Sequence, residues 1–359
     1  MKIVLSIFLI SFSLFGKDIR VASYNVENLF DLQYDSSEYK EYIPNTGAKW
    51  NKKTYLAKLR NISKVISTLN PDIIGLQEIE SENALIDLQA MLKSSKYKTN
   101  YKYYAIALEK KKSSAITTAL LSKYPIKYTK EVKVTNHPRN RNILEVGIKV
   151  GDEVLVVFVN HWKSKSGGES KRVRSAEYLM KRIAEFDDNL PYILLGDFNS
   201  NYNEFQTFVK SKYLNDTNGK TGINHTLGTI EITDWKVTQY FKELFGMEID
   251  TEYVTKSSLE ENSGNKYHYN LWLELPDDEK WSYKSGRKLE TLDNIMISKA
   301  LYDNHGIDYK DKSFNVFRGV GTVNEKGKIV RWKRGKNKIH LGIGFSDHLP
   351  IYADFVLKK

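Results

Sequence analysis

At six places in this 359-residue chain a short apolar run stops at, or starts from, a carboxylate, an amide or an imidazole. The clearest is Tyr192-Ile-Leu-Leu195, which ends in Gly196-Asp197-Phe198-Asn199. Side chains alternate along a strand, so Asp197 and Asn199 project together from its end. The other five are Asn25, closing the run from Ile19; Glu78, closing Asp72-Ile-Ile-Gly-Leu-Gln; Asn160-His161, closing Val154–Val159; Asp293, opening Leu292–Ser298; and Asp347-His348, just ahead of Ile351–Leu357. Any one of them reads equally well as a turn or cap residue. Their weight lies in the set.

The spacing of the apolar residues sorts the chain into elements. Leu56, Leu59, Ile62, Val65, Ile66 and Leu69 recur at three- and four-residue intervals and predict a helix from Asn51 to Asn70, ended by Pro71. A second helix is expected over about 83–93, and a basic amphipathic one from Glu169 to Phe186. Strands are expected near 103–108, 115–122, 126–134 and 143–150, and the almost continuously apolar Val154–Asn160 calls for a strand covered on both faces. Several strands therefore follow one another with no helix between them. That excludes a simple alternating βαβ fold and suggests two sheets packed face to face with helices outside. Between about 201 and 290 the periodicity blurs, and long loops and short elements are expected to decorate one domain spanning 17–359.

Composition narrows the chemistry. The chain has no cysteine, which excludes thiolate catalysis, disulfides and Cys-based zinc sites. Its formal net charge of +11 favours polyanionic partners. Residues 1–16 carry one lysine, then an apolar run ending at Phe15-Gly16, the pattern of a signal peptide. Export to a periplasm or the cell exterior is the expectation, with no stable membrane anchor. Carboxylates and amides at the strand ends are oxygen ligands suited to Mg²⁺ or Mn²⁺, with Ca²⁺ as a structural or accessory ion. A metal of this kind polarises a phosphoryl oxygen. His161 and His348, two of only seven histidines, could act as general acid and base beside it.

Taken together, Ser23-Tyr-Asn25-Val-Glu-Asn-Leu-Phe30, Leu76-Gln-Glu78, Asn160-His161-Trp-Lys-Ser-Lys165, Gly196-Asp197-Phe-Asn199, Leu292-Asp293-Asn-Ile295 and Ser346-Asp347-His348-Leu-Pro350 resemble the endonuclease/exonuclease/phosphatase superfamily, whose best-known members are deoxyribonuclease I and exonuclease III. The motifs occur in the family's order and span residues 23–350. The resemblance implies a four-layer αββα sandwich, two mixed sheets with outer helices, and metal-dependent cleavage of a phosphate ester where strand ends converge. By motif it implies Glu78 as the principal metal ligand, with Asn25 and Asp347 close to the ion. Asp197 and Asn199 would position the attacking water and the scissile phosphate. His348 would be the catalytic histidine, polarised by Asp293, and His161 would contact the phosphate or protonate the leaving oxygen.

Fold alone does not choose a substrate. The segment Asn160–Gly168 looks like that of exported bacterial nucleases of this family. Asn160, Lys163 and Lys165 are expected at the phosphate backbone. Arg141, favoured over Arg139, resembles the family's phosphate-contacting arginine. Lys333, Arg334, Lys336 and Lys338 add charge ahead of His348. The resulting expectation is a secreted, monomeric endonuclease of low sequence specificity acting on DNA, with RNA as a second polymer. The alternatives are a sphingomyelinase-like phosphodiesterase and a nuclease-fold toxin subunit.

Overall fold

The structure, a computed structural model, describes residues 18–108, 114–134, 140–231, 252–261 and 264–358. The expected signal segment, Arg139, Trp235 and part of the irregular 201–290 stretch lie outside the described residues.

In chain order the first half comprises β1 (Asp18–Leu29), α1 (Lys52–Leu69), β2 (Ile73–Ile79), α2 (Glu82–Lys93), β3 (Tyr103–Ile106), β4 (Thr117–Ser122), β5 (Ile126–Val132), β6 (Ile143–Val150), β7 (Glu153–His161), α3 (Ser170–Ile183) and β8 (Tyr192–Asp197). Short pieces follow: β9 (Ile230–Glu231), β10 (Glu252–Tyr253), β11 (Tyr269–Asn270), β12 (Tyr283–Ser285) and β13 (Lys288–Glu290). Then come β14 (Asp293–Ile297), β15 (Ile307–Tyr309), β16 (Asn315–Val316) and β17 (Ile351–Leu357).

Local chemistry sets the element ends. The Asn51 side chain accepts from the backbone N–H groups of Lys53 and Thr54, and Thr54 returns a bond to the Asn51 N–H, so α1 opens on a reciprocal cap. Asn70 closes it in the left-handed region, φ 50°, and Pro71 follows.

One sheet runs β15-β17-β1-β2-β4-β3, with β16 also on β17. The other runs β11-β14-β8-β7-β6-β5. Within them β1/β2 and β7/β8 are parallel and the remaining pairs antiparallel. Both sheets are thus mixed, as expected. Their inner faces share one core, including Val21, Ile73, Leu120, Val157, Val159, Leu195 and Ile295. A second core lies under α1 and α2 and a third under α3. The layers are therefore helices, sheet, sheet, helix. At roughly 25 cal/mol per Å² of apolar surface removed from water, these three cores dominate the stabilising side of folding.

Two glycines set distances that reach the site. Gly75 lets the sheets approach, because a Cβ there would stand 2.3 Å from the Leu195 side chain. Gly196 has φ 134°, and a Cβ would lie 2.1 Å from the Asn160 carbonyl oxygen on the neighbouring strand. Only glycine lets β8 pass β7 at that point and deliver Asp197 one residue later. We expect Gly196→Ala to destabilise the fold by about 3 kcal/mol or more, read from urea unfolding.

At the start of β8, the end opposite Asp197, His268 is fully buried. Its Nδ1 faces the Leu227 carbonyl, which can only accept, so Nε2 accepts from the Tyr192 hydroxyl at 2.9 Å. Burial pushes the ring down to about 4, against a bond to Leu227 that favours the proton. The unfolded chain, near 6.5, then binds more protons between pH 4 and 6.5, so stability falls as pH drops through that window. This one group contributes on the order of 3 kcal/mol of that loss. His268→Gln should flatten the fall measured by urea unfolding at pH 7.5 and 4.5. An unchanged fall would show that this ring does not cause it.

Candidate active site

Strand register assembles the site. In the second sheet His161 at the end of β7 pairs with Asp197 on parallel β8, and Asp197 faces Asp293 on antiparallel β14. From the first sheet come Asn25 on β1 and Glu78 on β2. Glu78 is skipped in the pairing of β2 with both neighbours and has φ 68°, so a bulge turns it out of the ladder. Asp347 and His348 arrive on the segment entering β17. Sequence motifs scattered over 23–350 thus meet at one end of the sandwich.

The centre is a carboxylate–imidazole pair. His348 Nδ1 lies 2.8 Å from Asp293 Oδ2, and that oxygen also accepts from Ser282 Oγ at 2.6 Å. His348 Nε2 then points toward Asp197 Oδ2, 3.9 Å away. The Ser346 hydroxyl accepts from the His348 backbone N–H and donates to the Asn25 carbonyl, tying the segment to β1. Tyr283 covers the imidazole, with ring centroids 4.6 Å apart. Burial works against a charge on His348. The attraction of Asp293, with Asp197 and Asp347 behind it, outweighs burial and holds the ring well above the usual imidazole range.

His161 is the opposite case. Its Nε2 lies 3.7 Å from Asp197 Oδ2 and 3.8 Å from Glu78 Oε1, and among the described residues its buried Nδ1 has no hydrogen-bond partner. Burial, then the positive charges of Arg141 and His348, push it well below the usual range. The two histidines therefore differ in charge at neutral pH, one cationic and one neutral. Asp197 stands between them. Burial raises it to about 7, with Asp293 and Glu78 adding to the rise and His348 and the Asn199 N–H opposing it. Its Oδ1 accepts that N–H at 2.8 Å, while the Asn199 amide donates to the Trp162 carbonyl.

A divalent ion fits the Glu78 side of the site. Burial and then the Asp347 charge raise Glu78, with His348, Arg141 and Asn25 opposing, so two carboxylates face each other at a cost a cation would remove. Among the described residues the Asp347 carboxylate accepts no hydrogen bond. Asn25 differs from expectation. Its Oδ1 is taken by the Glu27 N–H, and its Nδ2 donates to Asp197 at 3.0 Å and to Glu78 at 3.3 Å. In this arrangement the Asn25 amide N–H groups bridge the two carboxylates. Ligand atoms of Asp197, Asp293 and His348 also lie within 4.8 Å of one another, a buried group that could hold a metal. The Asp293–His348 hydrogen bond already occupies two of its three members, which favours the Glu78–Asp347 side for the ion.

The residues expected at the phosphate divide. Arg141 does lie at the site, donating to Ser114 Oγ and to the carbonyls of His161 and Trp162. Asn160 does not face it. Its amide donates to the carbonyls of Phe158 and Leu195 and accepts from Trp162 Nε1, so it staples β7 to β8. Lys163 is buried and bonded to Ser164 and Ser166 of its own loop. Lys165 is held by Glu204 at 2.8 Å and Glu290 at 3.0 Å. The sequence reading missed Ser282 and Tyr283, and did not use Glu27. Glu27 is buried near Asp347 and raised to about 7 by burial first and that charge second. Ser282 and Tyr283 lie in the stretch that lacks periodicity, so no pattern marked them.

Residues 20–237 match the Endonuclease/Exonuclease/phosphatase family. No curated protein matches the sequence at a significant level. Among solved structures, an endonuclease/exonuclease/phosphatase family protein from Bacteroides thetaiotaomicron superposes with a TM-score of 0.51 at 15% identity, covering 96% of this chain and 99% of that one. D. rerio TDP2 complexed with single strand DNA product gives 0.51 at 13% identity over 95% and 99%. A family protein from Leptotrichia buccalis gives 0.50 at 15% identity over 95% and 100%. At such identities these likenesses concern the fold.

The charge difference between the histidines can be measured. In metal-free protein, nitrogen NMR should show His348 doubly protonated well above pH 6.5, and Asp293→Asn should shift its titration downward. An unshifted titration in that variant would remove Asp293 as the source of the imidazolium.

Proposed function

Because the chain belongs to the endonuclease/exonuclease/phosphatase family, we propose that it hydrolyses phosphodiester bonds of nucleic acid, DNA first, with a divalent cation at Glu78 and Asp347. The observation that carries this reading is the buried Asp293–His348 pair aimed at Asp197, with Glu78 across the site. Acid, base and cation-binding groups stand together at the ends of strands from both sheets. A bound Mg²⁺ or Mn²⁺ would polarise the phosphoryl group and neutralise developing charge.

This chain's own residues supply the rest. His348, kept protonated by Asp293, meets the phosphate as a hydrogen-bond donor and cation. Asp197, poised near 7, accepts the proton of the attacking water, and the Asn199 N–H holds its other oxygen in place. Neutral His161 orients toward Asp197 Oδ2 and toward Glu78. Arg141, anchored by backbone carbonyls, supplies a fixed charge for a non-bridging oxygen. Residues 17–359 are taken as one catalytic unit and the protein as a monomer. Its export under the direction of residues 1–16 belongs to the same proposal. Among the described residues no helix is long and apolar enough to cross a membrane.

The purified protein should nick and degrade plasmid DNA with Mg²⁺ or Mn²⁺ and stop on adding EDTA. His348→Ala and Glu78→Ala should each lower the rate by about a hundredfold or more with the melting temperature retained. Undiminished cleavage in both variants would remove the site from the reaction. RNA and sphingomyelin run beside DNA test the substrate: faster turnover of sphingomyelin would replace the nuclease reading by a lipid one.

A further inference from the structure

Two hairpins grow directly out of the catalytic segment. The first, β12–β13, begins one residue after Ser282, whose hydroxyl donates to Asp293, and its Tyr283 bridges to His348. Its two-residue tip is Gly286-Arg287, with Gly286 at φ 59° as a tight hairpin turn requires. The second spans residues 331–343 and runs into Ser346-Asp347-His348. Backbone bonds from Lys333 to Ile343, Leu341 to Lys333 and Gly335 to Ile339 zip it together. Arg331 joins the two, donating to the Lys284 carbonyl and lying over the Tyr283 ring at 5.5 Å. An unbroken stack thus leads from His348 through Tyr283 to Arg331.

The second hairpin has a firm base. Trp332 and His340 are buried at 3% and 2% exposure, packed against Trp50, and their ring nitrogens bond to each other. Alternation then turns Lys333 and Leu341 outward. Two of the cations expected here are already used: Arg334 pairs with Glu27 and Glu41, and Lys338 with Glu41. Among the described residues, the side chains of Lys284, Arg287, Lys288, Lys333 and Lys336 have no ion-pair or hydrogen-bond partner in the protein. With Arg331 they give the two hairpins beside the catalytic histidine one sign of charge, Lys288 on the hairpin face of Tyr283 and Lys284 on the opposite one.

We propose that this double-hairpin wall, and not the Lys163–Lys165 loop, grips the phosphate backbone of a nucleic-acid chain running several nucleotides beyond the scissile bond. The enzyme then acts on long polymers in preference to short diesters. This deepens the nuclease reading and rests on it. Charge selects the occupant: a row of free ammonium and guanidinium groups matches a row of phosphates, and such contacts hold any sequence. An anionic lipid surface is the competing occupant, since Leu289, Leu341 and Ile343 on the same hairpins are 48%, 50% and 50% exposed. The rings are turned inward, however. Trp332 is buried and Tyr283 lies between His348 and Arg331, so the wall lacks the aromatic groups that anchor proteins in a bilayer interface.

The test is a variant carrying Arg287→Gln, Lys288→Gln, Lys333→Gln and Lys336→Gln, compared with the wild-type chain by thermal melting and then by binding. Binding of a labelled 30-nucleotide duplex is read in EDTA by fluorescence anisotropy, so it does not depend on cleavage. The variant should bind at least about tenfold more weakly at 0.1 M salt, and the slope of log affinity against log salt should become shallower by about 3 to 4. With Mg²⁺, its turnover of bis(p-nitrophenyl) phosphate should equal that of the wild type, because none of the four residues touches the site. Equal duplex affinity and equal salt slope in the two proteins would overturn the proposal, as would failure of the wild type to bind the duplex. Loss of binding to phosphatidylglycerol vesicles with duplex affinity unchanged would overturn it in favour of lipid. Duplex binding that behaves as expected without any Mg²⁺-dependent cleavage would instead sink the proposed hydrolysis and leave the docking surface standing.

Discussion

Everything at the site hangs on the register of three strands. β8 lies between parallel β7 and antiparallel β14, so Asp197 has His161 on one side and Asp293 on the other. A slip of one residue would turn each of them to the opposite face. The register is held from within. Gly196 lets the strands close, the Asn160 amide bonds across to Leu195, and Ile193, Leu195 and Ile295 fill the inter-sheet core. Placing three ionisable side chains in contact is unfavourable by itself, and the apolar packing behind them is what imposes it.

That imposed crowding creates the chemistry. In water the carboxylates would all be charged and the histidines would titrate alike. Buried together, they divide: Asp293 keeps a proton on His348, while His161, which has no carboxylate in hydrogen-bond contact, remains neutral. Glu78 and Asp347 are left as like charges facing each other, the condition under which a divalent cation is welcome. The bulge at Glu78 serves the same end, because it moves a carboxylate out of a central strand while pairing with both neighbours resumes at Ile79.

The fold and the polar strand ends that meet at the candidate site were legible because they sit on strong local patterns. Apolar runs located the strands, three- and four-residue spacing located α1 and α3, and polar residues at the strand ends marked Asn25, Glu78, His161, Asp197, Asp293 and His348. The departures from expectation fall at residues whose hydrogen-bond and ion-pair partners no local pattern shows. Lys165 looks like a phosphate ligand until Glu204 and Glu290, about 40 and 125 residues later, are folded against it. Asn160 looks like a site amide until its bonds to Phe158 and Leu195 show it holding two strands together. Asn25 is in the right place, but its amide is turned by the Glu27 N–H, a direction no motif encodes. Tyr283, Ser282 and the β12–β13 hairpin lie in a stretch without periodicity, so nothing local distinguishes them from a loop.

By itself the sequence determined what kinds of group the strand ends would carry, that no thiol chemistry was available, and that the surface would be strongly basic. Those follow from composition and from the period of the apolar residues, which are properties of the chain. Tertiary structure alone decided which cations stay free, which histidine is charged and which amide atom faces the carboxylates. Each of those depends on the distance and burial of partners that only folding brings together, and electrostatic interactions change several-fold between water and a packed interior.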